Sequence, residues 1–216
     1  MTREFHSRLE EIEGRVVAMA ALAKENVRQG VEALMSLDEQ RANEVRHRGE
    51  QLNRMDVELE RDLLDLLALH QPVAKDLRAI GASLKIITYL DRIGRYGYDI
   101  ANAALALKDK EPVRRPPTFP LMADRATAML DQAMQAYREH DATKARLVRP
   151  QDEEVDALDD QIFRQCVTYM MEDARAIGAC SHFILVSRHL ERVGDNACKI
   201  AEKVLYMVTG ERRLQV

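Results

Sequence analysis

The chain has no tryptophan, and aromatic residues make up only 5% of it. Surfaces that stack on nucleic-acid bases need exposed rings, so that class of partner is poorly served. The charge balance points the same way. There are 36 acidic and 32 basic residues, a net charge of −4, which is the wrong sign for a phosphate-backbone footprint. The three cysteines, Cys166, Cys180 and Cys198, are an odd number with no CxxC pair, and read as reduced thiols of a cytoplasmic protein. No apolar run approaches the ~18 residues that span a bilayer. The opening Met1-Thr2-Arg3-Glu4-Phe5 has no apolar signal core. Any membrane contact is therefore expected to be peripheral, through partners. Glycine and proline are also scarce, at 9 and 6 residues of 216. With few breakers, and Ala, Leu, Glu and Arg abundant, the composition favours helices.

What the chain does have is a duplication. Leu90-Asp91-Arg92-Ile93-Gly94 returns as Leu190-Glu191-Arg192-Val193-Gly194, 100 residues later, and Ile100-Ala101 returns as Ile200-Ala201. Upstream, Asp38, Ala42, Val45, Glu50 and Asp56 return as Asp141, Ala145, Val148, Glu153 and Asp159. A tandem repeat calls for one architecture used twice.

Apolar residues at spacings of three and four mark the helices. The first seam is Phe5, Leu9, Ile12, Val16, Met19, Ala23, Val27, Val31 and Leu34. Asp38 is the expected N-cap of a second helix, seamed by Ala42, Val45, Leu52, Met55, Leu59, Leu63 and Leu66. Pro72 suits the start of a third, with Leu77, Ile80, Leu84, Ile87, Leu90, Gly94 and Tyr98 inward to about Leu107. Residues 108–120 hold four of the six prolines, including Pro112 and Pro120, and read as a linker. A fourth helix carries Met122, Ala126, Met129, Ala133, Ala136 and His140 inward; a fifth starts near Asp141 and should break at Pro150; a sixth runs from about Ala174 to Thr209 and stops at Gly210. The expected fold is all-α: two pseudo-symmetric, antiparallel three-helix bundles in tandem, spanning 1–107 and 121–216.

Acidic residues carry the chemistry. Glu191 and Asp195 sit four apart on one helix face, as do Asp152 and Asp156. Like charges at this spacing cost roughly 0.2–0.5 kcal/mol on an isolated helix. Arg188 and Lys199 are spaced to compensate Glu191 and Asp195. The run from Asp152 to Asp160 contains six acids and no base. A multivalent cation held by oxygen ligands would relieve it; the plain alternative is a solvated acidic face. Gly94 and Gly194 cost helix propensity, about 1 kcal/mol each against Ala, so each should mark a close helix approach. Cys198 falls three residues after Asp195 and can face the same site. His182 and His189 share a face, and Glu44-x-x-His47 has the spacing of a di-iron ligand pair, but occurs once where two copies are needed. No Ser/His/Asp set, Walker loop or GxGxxG is present, so no enzyme is expected.

The stretch Leu190-Glu191-Arg192-Val193-Gly194-Asp195-Asn196-Ala197-Cys198-Lys199-Ile200-Ala201-Glu202, followed by Thr209-Gly210, resembles the signature of the PhoU family. Asp152-Glu153-Glu154-Val155-Asp156-Ala157-Leu158-Asp159 resembles that family's other acidic stretch, and Gln71-Pro72 with Asp76-Leu77-Arg78 resembles its first-half helix start. The resemblance covers nearly the whole chain. It implies two three-helix bundles whose E/D-x-x-x-D pairs bind metal ions or clusters, iron or zinc foremost, with Mg, Mn, Ni and Ca as further candidates. The implied ligands are Glu191, Asp195, Asp152 and Asp156, with Asp159, Asp91 and Asp56 as weaker ones.

The implied role is regulatory. Such proteins act between the high-affinity phosphate ABC transporter, through its ATPase, and the sensor histidine kinase of the phosphate regulon. They dampen uptake and signalling when phosphate is plentiful. A cytoplasmic homodimer peripheral to the inner face of the membrane is expected. The first half departs from the pattern: Arg95 stands where Asp195 stands, Gly49 where Asp152 stands, and Asn53 where Asp156 stands. Arg95 should pair with Asp91 or Asp99 instead, and the first half should bind metal weakly or not at all. Two other readings are a carboxylate-bridged di-metal oxidase, which lacks its second Glu-x-x-His, and a metal-free helical adaptor whose acidic face docks a basic partner.

Overall fold

The computed structural model describes residues 3–109 and 113–211. Among them there is no strand. The first half is three long helices: α1 (Arg3–Ser36), α2 (Glu39–His70) and α3 (Ala74–Leu107). The second half is α4 (Phe119–Glu139), α5 (Ala142–Arg146), α6 (Asp152–Glu172) and α7 (Ile177–Thr209). A single turn of 3-10 helix, Arg149–Gln151, joins α5 to α6, and another, Ala174–Ala176, leads into α7. The expected fifth helix is thus broken at Pro150, which has no N–H to continue it.

The ends follow local chemistry. The Asp38 carboxylate accepts the Arg41 N–H at 3.0 Å, and the Asp141 carboxylate accepts those of Thr143 and Lys144 at 2.7 and 3.1 Å. These contacts satisfy donors that the first turn leaves open. Gly210 ends α7 at φ 75, in the left-handed region that glycine occupies without a Cβ penalty. Pro120, assigned to the linker by composition, lies in the first turn of α4, where a missing N–H costs nothing. Pro112 lies outside the described residues.

Each half packs its helices around one apolar seam. Every α1 seam residue from Phe5 to Leu34 named above is buried, as are those of α2 except the half-buried Met55. Isolated helices are marginal in water, so this burial is what holds them. In α3 the inward row is wider than one seam: Ala79, Ile80, Ser83, Ile86, Ile87, Leu90, Ile93, Gly94 and Gly97 are all buried. α3 packs on α1 and α2 with one side and on α7 with another, and α1 also meets α4. Leu77, expected inward, is 45% exposed. His140, expected on the α4 seam, is the left-handed C-cap, and its ring reaches Glu13 of α1 at 3.3 Å.

Two polar contacts stitch these layers where water is excluded. The Asn26 side chain donates to the Gly94 carbonyl at 2.9 Å, joining α1 to α3. Ser83 and Tyr137 share a 2.6 Å hydrogen bond between α3 and α4. At the periphery, Lys24–Asp131 (2.5 Å) and Arg28–Asp124 (3.6 Å) join α1 to α4.

Beside Asn26 the backbones of α1 and α3 nearly touch. A Cβ on Gly97 would lie 2.7 Å from the Asn26 carbonyl carbon and 2.9 Å from the Val27 nitrogen. Backbone cannot swing aside, so Gly97→Ala should destabilise by about 1–3 kcal/mol through overpacking, despite the gain in helix propensity. Gly14 has nothing within 4 Å of its built Cβ, so Gly14→Ala should stabilise by about 0.5–1 kcal/mol. Urea unfolding of both variants checks the pair; a harmless Gly97→Ala would mean that the crossing is looser than described.

Candidate functional site

Two acidic helix faces meet in the second half. On α6, Asp152, Asp156 and Asp159 fall at spacings of four and three; on α7, Glu191, Asp195 and Cys198 do the same. Such spacings place each trio on one face. The faces close on each other because Gly194 has no side chain. A Cβ there would lie 3.0 Å from Asp152 Oδ1. The first-half glycine serves packing instead, since a Cβ on Gly94 would strike the Leu52 side chain of α2.

The electrostatics record how close these acids are. Burial raises the proton affinity of Asp152, and Asp156 and Asp195 add to the rise; a hydrogen bond from Cys198 and the charge of Arg149 oppose it. Burial, Asp195 and Asp159 raise that of Asp156. Burial and Asp195 raise that of Glu191, against Arg188. Burial and the Asp152 charge push the Cys198 thiol up to about 12. A cluster in which carboxylates hold one another above their ordinary range is one that an added cation stabilises.

The ion pairs differ from those that spacing along one helix suggests. Arg188 pairs with Asp159 across the helix gap at 2.9 Å, burying that carboxylate to 5% exposure. Arg125 of α4 pairs with Glu154 at 2.9 Å, and Arg164 with Asp160 at 3.1 Å. Lys199 stands 3.9 Å from Asp195, as its spacing suggested. The compensation missing from the α6 sequence is thus partly supplied by other helices, a signal that a single-helix reading does not contain. Asp152, Asp156 and Glu191 are left without an ion pair within 4 Å among the described residues. The donor set, carboxylate oxygens with one thiol at the edge, suits a divalent cation. Among the described residues no three His, Cys, Asp or Glu side chains are already closed around one metal-sized point, so ligation would draw the two faces together.

The first half carries a different arrangement at the equivalent positions. Burial, Asp91 and Glu60 push Asp56 up to about 6. Burial raises Asp91 too, opposed by a hydrogen bond from Asn53 and by the charges of Arg95 and Arg92. Arg95 makes no ion pair within 4 Å with Asp91 or Asp99 among the described residues; it acts on Asp91 as a nearby charge only, and the direct contact comes from Asn53. Asp99 lies beside His189, whose ring stacks on Tyr96 at 5.7 Å between α3 and α7. Where the second half has Asp152 and Cys198, the first has Gly49 and Tyr98. The Tyr98 ring lies 3.3 Å from where a Gly49 Cβ would be, and Arg46 sits over it at 5.5 Å. Glu44 and His47 are both exposed on α2, so the single Glu-x-x-His does not face a bundle core.

Asp56 also has a buried Oδ1 with no hydrogen-bond partner. Its folded-state proton affinity lies above the unfolded value of 3.8, at about 6. The stability it contributes is therefore full below pH 3.8 and lost as pH rises through about 6. Asp56→Asn should melt roughly 2–4 °C above the parent at pH 7.5, with the gap closing toward pH 4. Parallel melting curves across that window would show that Asp56 is not strained by its burial.

The chain and its fold are similar to known proteins. The sequence model of the PhoU domain matches twice, over residues 16–104 and 119–204. A phosphate-specific transport system accessory protein PhoU homolog from Clostridium acetobutylicum is 32% identical, over 98% of both chains. The crystal structure of PhoU from Pseudomonas aeruginosa superposes with a TM-score of 0.89 at 34% identity, covering 96% of this chain and all of that one. The phosphate transport system regulatory protein PhoU from Streptococcus pneumoniae gives 0.89 at 26% identity, over 98% of this chain and all of that one.

Proposed function

The chain belongs to the PhoU family, and from that premise we propose that it is a metal-binding, non-enzymatic regulator of phosphate uptake. The observation that carries this is the pair of opposed acidic faces on α6 and α7. Asp152, Asp156, Glu191 and Asp195 supply the oxygens, and Asp159 supports them from its pair with Arg188. A bound cation would neutralise the repulsion and fix the angle between α6 and α7. We assign iron or zinc first, with Mg, Mn, Ni or Ca compatible with the same oxygens. Asp56 and Asp91 of the first half, with Arg95 near and Asn53 already bonded, make a weaker site.

The sequence carries no Ser/His/Asp set, Walker loop or GxGxxG, and no helix among the described residues is long and apolar enough to cross a membrane. Its work is therefore assigned to protein contact, at the cytoplasmic face of the membrane. The partners proposed are the ATPase of the phosphate transporter and the sensor histidine kinase of the phosphate regulon, with a homodimer as the assembly. α6 carries a stripe suited to such contact: Phe163, Val167 and Met171 are 44%, 36% and 83% exposed, four residues apart. The two repeats, 1–107 and 121–216, serve as successive binding units. The pairing of several α6 acids with Arg125, Arg164 and Arg188 also favours a second reading, a metal-free adaptor whose charged face docks directly.

Metal content separates the two. Asp156→Asn with Asp195→Asn should lower the bound metal measured by elemental analysis of the purified protein, with the fold retained by circular dichroism. Unchanged stoichiometry would reject these ligands. The regulatory role has its own test. Deletion of the protein should raise a phosphate-starvation reporter, or phosphate accumulation, in cells grown in high phosphate; if neither responds, the assignment fails.

A further inference from the structure

Next to the acidic faces lies a groove of about 1320 Å³. It is lined by the start of α3, by α5 with the 3-10 turn and the start of α6, and by the later part of α7. Acidic and basic side chains line it in equal number, but they are not used alike. Arg149 is taken by Glu202 at 3.0 Å, and Arg78 lies against the Met207 carbonyl at 3.4 Å and under Gly210. Lys85 of α3, Arg146 of α5 and Lys203 of α7 form no ion pair among the described residues, and Lys85 and Arg146 are exposed. Three cations from three helices thus share one concavity with no carboxylate committed to them. Asp152 and Asp156, of the candidate metal site, line the same groove.

We propose that Lys85, Arg146 and Lys203 form a binding site for a phosphate-type oxyanion, either free phosphate or a phosphate ester, and that its affinity depends on a cation held by the Asp152 and Asp156 carboxylates of the same groove. The inference rests on the metal reading given above. Without a cation, the carboxylates offset the three bases, and an incoming anion gains little. With Asp152 and Asp156 neutralised, the five bases of the groove face only Glu153, Glu202 and Glu211, and the lining turns net positive. The coupling is reciprocal by necessity: whatever the cation does for anion affinity, the anion does for cation affinity. The groove exceeds the volume of a single phosphate, so an ester with a bulky second group also fits. Arginine and lysine from separate helices give the charge and hydrogen-bond donors that a tetrahedral oxyanion takes.

The test is isothermal titration calorimetry on the full chain, stripped with chelator and then reloaded with Mn²⁺. The probes are inorganic phosphate, AMP and sulfate. Phosphate or AMP should bind the reloaded protein at least tenfold more tightly than the stripped protein. A response to phosphate identifies the free anion as the ligand, and a response to AMP alone identifies an ester. Arg146→Ala with Lys203→Ala should cost at least tenfold while Mn²⁺ content and melting temperature stay unchanged, and Lys85→Ala should weaken binding by itself. Equal affinity in stripped and reloaded protein, an unaffected double variant, or sulfate binding as tightly as phosphate would overturn the proposal. Mn²⁺ binding with no anion response sinks it alone; no Mn²⁺ binding sinks the metal reading and this inference together.

Discussion

Two helices in this protein have to bury more than one side. α3 packs on α1 and α2 and again on α7, while α7 packs on α4 and α6 and again on α3. Neither can be satisfied by its own half, so the halves must dock, and the docking fixes which residues remain outside. On α7 the buried rows include Leu190, Val193, Gly194, Ala197 and Val204. What is left between those rows and α6 is the strip holding Glu191 and Asp195. The acidic cluster therefore lies where two packing demands leave a seam, and its position follows from the core rather than from any local motif.

The helices themselves were legible because their signals are local. Asp38, Asp141 and Gly210 mark ends by their own chemistry, and Pro150 breaks a helix by lacking an N–H. Gly194 was readable too: a glycine that costs propensity and recurs implies a close neighbour, and Asp152 is that neighbour. What sequence could not give is pairing across helices. Arg188 looks like a partner for Glu191 on its own helix, but takes Asp159 of α6. The Gly97–Asn26 crossing was missed because a lone Gly and a lone Asn, 71 residues apart, carry no shared period. Spacing alone places Leu77 in the core, but it lines the groove and is exposed.

The two halves show how a duplicated site diverges in coupled steps. Asp152 and Cys198 are hydrogen-bonded neighbours in the second half; Gly49 and Tyr98 are packed neighbours in the first. Each exchange bears on the other. An Asp at 49 would meet the Tyr98 ring, and a Gly at 152 would leave Cys198 with no acceptor there. Arg46 on the ring face completes the change, so an aromatic side chain stands where the second half has a carboxylate and a thiol. The fold tolerates both because the surrounding apolar rows, such as Leu52 and Val155, are the same kind of residue.

The dependence of α3 on α7 has a consequence for how the protein is made. The first half leaves the ribosome complete, with all three of its helices and its own core. One side of α3, including Ala82 and Tyr96, still has its partner α7 to come. Roughly 100 residues must be added in between, which at synthesis rates of about 5–20 residues per second is about 5–20 s. During that interval a nascent half-protein presents an apolar flank to the cell. A second nascent chain would present the same flank, and the duplication makes the wrong partner nearly as good as the right one. Polysomes translating this message thus hold the ingredients for mispaired halves, a hazard that chaperone cover of the growing chain would relieve.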